Sequence, residues 1–180
     1  MDPSGFALFD MAIGVCGVAW RERGLVRVLL PEVGGAPARA QLAKRFPDIA
    51  EAVPPPQIQQ VMDRIVALMQ GELVDLSDAP LDQHIVSAFE RQVYAIALAI
   101  PPGKTMTYGE IAVRLGDKLL AQRVGQAMGH NPWPIVVPCH RVLGAGGKMV
   151  GFSAPGGVST KERMLAIEGY FPGGQPSLFG

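Results

Sequence analysis

The sequence predicts a mixed α/β fold: a small N-terminal α/β domain over residues 1–80, a mostly helical domain over 81–170, and a flexible tail over 171–180. Three observations lead there. The β-rich stretches Phe6–Val18 and Leu25–Leu30 lie early in the chain. From Asp82 onward apolar residues recur mainly at helical spacing. Glycine and proline then cut that second half into short elements. With 180 residues and 48% hydrophobic content, the chain suffices for one large domain or two small ones, each with a core.

The first half reads as scaffold. Two strands, roughly 6–20 and 25–30, are joined by a hairpin at Arg21-Glu22-Arg23-Gly24, and Pro31 ends the second. Ala36 to Phe46 is a helix with Pro37 in its first turn. Ala52 to Pro56 is a proline-rich breaker. Gln57 to Gln70 is a helix whose apolar face is Ile58, Val61, Met62, Ile65, Leu68 and Met69, closed by Gly71. Leu73 to Leu76 is a further short strand. No chemical motif falls in this half.

The second half opens on a long helix from Asp82 to Ala99, stopped by Pro101-Pro102-Gly103. Thr107 followed by Glu110 is a capping-box pattern, so a short helix runs from Tyr108 to Leu115. Gly116 ends it, Asp117 and Lys118 turn, and a second helix runs from Leu119 to Met128 up to Gly129. This is a helix-turn-helix pattern, with an ordinary helical hairpin as the alternative. In the second helix Ala121, Gly125 and Ala127 are small and Arg123 is the sole formal charge. A major-groove reader brings long polar side chains; small residues suit close approach to a narrow groove.

The chemistry-bearing stretch follows. Asn131-Pro132-Trp133-Pro134 bends the chain, and Ile135-Val136-Val137 is a strand-like run delivering Pro138-Cys139-His140-Arg141-Val142. Thiolate is the reactive form of cysteine, and a nearby base or cation makes it accessible at neutral pH. The competing reading makes Cys139 an inert core residue. Adjacent side chains of an extended segment point to opposite faces, so Cys139 and His140 cooperate only through a backbone turn or a bridging water. Lys161 to Ile167 is a last helix, with Glu168 near its end.

Charge and composition exclude some classes. Lys+Arg and Asp+Glu are 16 each, but residues 1–100 carry eight bases against twelve acids and residues 101–180 eight against four. The basic second half suits an anionic partner. Two cysteines, Cys16 and Cys139, make no disulfide framework and fit a cytoplasmic protein. No leader pattern is seen, and the longest mostly apolar run, Val93 to Pro102, is too short to cross a bilayer. With His84, His130 and His140 the only histidines, no zinc-site spacing is present, and neither metal nor cofactor is expected.

In order, Ile100-Pro101-Pro102-Gly103, Thr107-Tyr108-Gly109-Glu110-Ile111-Ala112, Val124-Gly125-Gln126-Ala127-Met128, Asn131-Pro132, Pro138-Cys139-His140-Arg141-Val142 and Glu168-Gly169 resemble the O6-alkylguanine-DNA alkyltransferases, or methylated-DNA–protein-cysteine methyltransferases, over residues 85–170. The resemblance implies a ribonuclease H-like N-terminal domain and a winged helix-turn-helix-like C-terminal domain. It implies a monomer that binds duplex DNA through the minor groove, flips O6-alkylguanine (O4-alkylthymine is a further substrate to consider) and transfers the alkyl group to Cys139 once. His140 would take the thiol proton through a water, Glu168 would stabilise the imidazolium, Tyr108 would donate to the leaving base, and Asn131 would brace the turn. Ala121, Gln122, Arg123, Gly125, Arg141, Val142, Ser153 and Lys161 would contact substrate or DNA.

Two positions depart from the family pattern. Gln122 stands where the family usually has an arginine that fills the gap left by the flipped base, and Arg123 is displaced by one residue, roughly 100° around a helix. The Ser153–Gly157 loop is about two residues longer than in the family pattern. A non-catalytic alkylated-DNA damage-binding protein and a Cys-His hydrolase are the other function classes weighed. The reactive cysteine argues against the first, and the adjacency of Cys139 and His140 against the second.

Overall fold

A computed structural model of the protein describes residues 4–31, 36–149 and 157–171. It begins with an antiparallel sheet in the order β1 (Gly5–Met11), β2 (Gly14–Arg21), β3 (Gly24–Leu29). The single strand predicted over 6–20 is two strands. A two-residue turn at Ala12-Ile13 brings Met11 opposite Gly14, where φ of 129° favours glycine. The hairpin at Arg21–Gly24 forms as predicted.

Helix α1 (Ala38–Arg45) buries Leu42 beneath the sheet, and α2 (Pro56–Met69) buries the six apolar residues that its spacing marks. Leu73–Leu76 forms no strand; Leu73 is 82% exposed and the segment passes along the surface. The predicted long helix also breaks. Asp82 accepts from the His84 N–H and closes a 3-10 turn over Gln83–Ile85. Ser87 then starts α3 (Ala88–Leu98) with a complete capping box to Glu90. That cap requires an extended residue at Ser87, so it interrupts the helix despite the apolar periodicity around it.

Strand β4 (Met106–Thr107) leads into α4 (Tyr108–Arg114), where Thr107 Oγ1 accepts the Glu110 N–H. Gly116, at φ 103°, ends α4, and a 3-10 turn capped by Asp117 enters α5 (Ala121–Gly129). Two helices and a tight turn are therefore present as the caps predict. Parallel pairing of β4 with β5 (Val142–Leu143) fastens the entry of this pair to the exit of the cysteine segment. Helix α6 (Gly157–Ile167) closes the described chain. The predicted tail lies outside the described residues except for Phe171.

One buried apolar cluster runs from β1 and α2 through α3, α4 and α5 to Met164 of α6. The 80/81 junction is stitched to β3: Leu25 N–H donates to Pro80 O (2.8 Å) and Asp82 N–H to Leu25 O (3.0 Å). The sheet also holds the cysteine segment, through Trp133 Nε1 to Leu25 O (2.8 Å) and Val28 N–H to Pro132 O (2.9 Å). Among the described residues no helix is long and apolar enough to cross a membrane.

Candidate active site

The run Ile135-Val136-Val137 is not a strand. It is a buried turn, with Ile135 at φ 76°. A β-branched residue there costs about 1–3 kcal/mol and persists only when its surroundings hold it. They do: Val137 N–H donates to Trp133 O (2.9 Å), Asn131 Nδ2 to Val137 O (2.8 Å), and Trp133 N–H to Asn131 Oδ1 (2.9 Å). Asn131 thus closes the turn from both sides. Pro134 and Pro138 limit the backbone at its ends.

The turn delivers Cys139, His140 and Arg141 as one 3-10 turn, with Arg141 N–H on Pro138 O (2.9 Å). Of the two connections that the sequence leaves open, the backbone turn is present. Cys139 is 8% exposed, at the edge of the interior, and His140 is fully buried.

His140 Nε2 lies 3.0 Å from Glu168 Oε1, 28 positions away at the end of α6. Arg141 Nε donates to the same oxygen (2.9 Å), Nη2 to Oε2 (2.5 Å), and Nη1 to Ile100 O (2.6 Å). Burial alone would raise the Glu168 carboxyl; the Arg141 fork and the His140 contact outweigh it and hold it at about 2. Glu168 is therefore an acceptor only, and a neutral His140 must present Nε2–H to it. The lone pair then sits on Nδ1, which is buried and makes no hydrogen bond among the described residues. Burial lowers the His140 pKa despite Glu168, so the resting imidazole is neutral and ready to take a proton at Nδ1.

Burial pushes the Cys139 thiol up; the Asn131 side chain and the Lys161 charge oppose that. Lys161 is itself buried, with Nζ donating to Val142 O (2.6 Å), and burial lowers its pKa. Tyr108 starts α4 with its ring against Gly125, where an added Cβ would lie 3.6 Å from Cε2. Burial raises its hydroxyl pKa and the nearby Cys139 raises it further, so it remains a hydrogen-bond donor.

Structure and sequence part at two positions assigned to substrate or DNA. Arg141 and Lys161 point into the protein, held by Glu168, Ile100 and Val142, because a buried carboxylate and an unpaired carbonyl need donors there. Neither is available to a surface duplex. Val142 is fully buried; its N–H goes to Cys139 O and its carbonyl accepts Lys161. Sequence reasoning lacked a signal for these inward partners beyond their charge. Ser153 and the longer loop lie outside the described residues, apart from Gly157.

On α5, Gln122 and Arg123 are exposed, Ala121 and Gly125 half-buried. The Arg123 guanidinium carbon stacks 4.0 Å over the Phe89 ring of α3. Gln122 alone of that pair is thus left without an aromatic anchor. Among the described residues no group of three or more His, Cys, Asp or Glu could hold a metal ion, and Cys16 is buried in the sheet.

The chain is similar to known proteins over most of its length. The family described as 6-O-methylguanine DNA methyltransferase, DNA binding domain, matches residues 88–170. A methylated-DNA–protein-cysteine methyltransferase of Mycolicibacterium paratuberculosis is 37% identical over 159 residues, covering 88% of each chain. The crystal structure of Mycobacterium tuberculosis O6-methylguanine methyltransferase is 33% identical with a TM-score of 0.73, covering 94% of this chain and 95% of that one. The Mycobacterium tuberculosis OGT crystallised with DNA is 34% identical with a TM-score of 0.71, covering 92% and 93%. On the strength of that likeness over most of the chain, and of a cysteine turn backed by a histidine, a glutamate and an arginine, the chain belongs to the methylated-DNA–protein-cysteine methyltransferases.

Proposed function

We propose that this protein repairs DNA by moving an alkyl group from O6-alkylguanine onto Cys139 Sγ. The observation that carries the reading is His140 Nε2 set 3.0 Å from Glu168 Oε1 with Nδ1 left unbonded among the described residues, within one turn of the thiol. His140 Nδ1 takes the Cys139 proton through a water, and Glu168 stabilises the imidazolium. The thiolate attacks the alkyl carbon; an S–C bond forms and the C–O6 bond breaks. The electron pair returns to the purine, where the Tyr108 hydroxyl donates as negative charge builds. The product is a thioether, which no described residue of the site is equipped to cleave, so each molecule acts once.

The guanine must leave the stack to reach a cysteine at this depth. In this reading α5 enters the minor groove with its small residues, Ala121 and Gly125, facing the duplex, and Gln122 and Arg123 stand nearest the extruded base. Arg141 and Lys161 act behind the cysteine instead: Arg141 orients Glu168, and Lys161 holds the Val142 carbonyl and adds positive charge near the thiol. The protein works as a cytoplasmic monomer, with residues 1–80 as a ribonuclease H-like scaffold domain and 81–170 as a winged helix-turn-helix-like domain.

Peptide mapping by mass spectrometry after incubation with duplex carrying O6-methylguanine tests this. One methyl group on Cys139, with guanine restored in the DNA, is the expected result. Lesion binding with Cys139 unmodified would instead favour a damage-binding protein.

A further inference from the structure

Away from Cys139, an open pocket of about 580 Å³ lies where the sheet and the end of α1 meet α3 and the residues following α5. Its wall carries Arg21, Arg27, Arg45, Glu90, His130 and Phe46. The charges are not balanced. Arg21 is matched by Asp48, with contacts of 2.8 and 3.2 Å. Glu90 is engaged by the Ser87 N–H (2.9 Å) and Tyr94 (3.4 Å), with His130 Nδ1 at 4.0 Å. Arg27 and Arg45 have no carboxylate partner among the described residues.

Arg27 is the informative residue. It sits in β3 between Val26 and Val28, with its Nε enclosed and making no hydrogen bond. A buried donor without an acceptor is costly, and more so in a cation. Arg27 and Arg45 line the same pocket, and burial together with the Arg45 charge lowers the Arg27 pKa. An anion between them would supply the missing acceptor and cancel the repulsion.

We propose that this pocket is a phosphate site, in which Arg27 and Arg45, with His130 at the rim, take a phosphate monoester or diester. Arginine forks match phosphate oxygens geometrically, and Arg27 is already fixed by its strand. The phosphate has two sources of the same chemistry: the backbone of DNA running past the end of α5, which His130 caps, or a free phosphate or mononucleotide. The proposal does not depend on alkyl transfer.

The test titrates the full-length protein with inorganic phosphate at constant ionic strength, and separately measures binding of undamaged duplex against salt concentration. Arg45→Ala removes an exposed residue at the end of α1 and leaves the core intact; Arg27→Gln keeps a polar group of similar reach. Each variant should weaken phosphate binding by about tenfold, the loss of one charge-assisted contact. A fall of about 1 in the slope of log affinity against log salt would identify the source as DNA backbone. Weakened phosphate binding with an unchanged slope would identify a free phosphate or nucleotide. No phosphate binding to the native protein, together with an unchanged slope in Arg45→Ala, would overturn the proposal. Methylation of Cys139 is a separate readout, so failure of this site and failure of alkyl transfer remain distinguishable.

Discussion

His140 and Glu168 face each other across 3.0 Å in the interior, both side chains fully buried. The contact determines which imidazole nitrogen holds the proton. Glu168→Gln supplies an amide that either donates or accepts, so Nδ1 no longer carries the lone pair by necessity. The single-turnover rate of Cys139 methylation should fall by about 10²–10⁴-fold, with lesion binding retained. A rate within a few-fold of the native protein would show that Glu168 does not orient the base.

The same pair predicts an acid-sensitive fold. Glu168, held at about 2 against an ordinary 4.5, contributes stability that is present above 4.5 and lost as pH falls through about 2. His140 is lowered from 6.5, so the unfolded chain takes up its proton first and stability falls as pH drops below 6.5. The melting temperature should therefore decline in two stages on acidification, and His140→Gln should remove the upper stage. A midpoint that is constant from about pH 7 to about pH 5 would contradict a buried neutral His140.

Arg141 joins Glu168 to Ile100 O, and removing it strands a buried carboxylate. Arg141→Met should cost about 3–5 kcal/mol in denaturant unfolding. Arg141→Lys should recover only part of that, because an ammonium cannot reproduce the fork. A surface role for Arg141 would leave the unfolding midpoint nearly unchanged.

At Gly125 an added methyl would meet the Tyr108 ring at an ordinary contact distance of 3.6 Å. Gly125→Ala should stabilise the protein by about 0.5–1 kcal/mol through helix propensity and leave transfer to a single-stranded substrate intact. Gly125→Leu should displace Tyr108 and slow transfer on the same substrate. Equal rates for the two variants would break the link between this packing and Tyr108.

Arg123 is engaged on Phe89, so under the proposed base flipping Gln122 would be the exposed side chain to occupy the gap in the duplex. Gln122→Arg should speed transfer from duplex by about tenfold, ~1.4 kcal/mol of the unstacking cost, and leave transfer from a single strand unchanged. An equal acceleration on both substrates would mean that the residue acts after flipping.

What the sequence determined by itself is what neighbouring residues decide. The Thr107 cap, the Gly116 stop and the apolar face of α2 are local, and all three stand in the structure. So does the adjacency of Cys139 and His140. Two further local devices reshape the predicted elements: the Ser87–Glu90 capping box cuts the long helix, and the Ala12-Ile13 turn splits the first strand. Tertiary structure alone decided the rest. Asn131 and Trp133 hold Ile135 in a left-handed conformation that no propensity favours, and this turns Cys139 out of a strand. Arg141 and Lys161, surface residues by type, face inward because Glu168 and Val142 O lie buried there. Periodicity records which face of an element is apolar; it carries no record of which buried charge, 27 positions away, requires a partner.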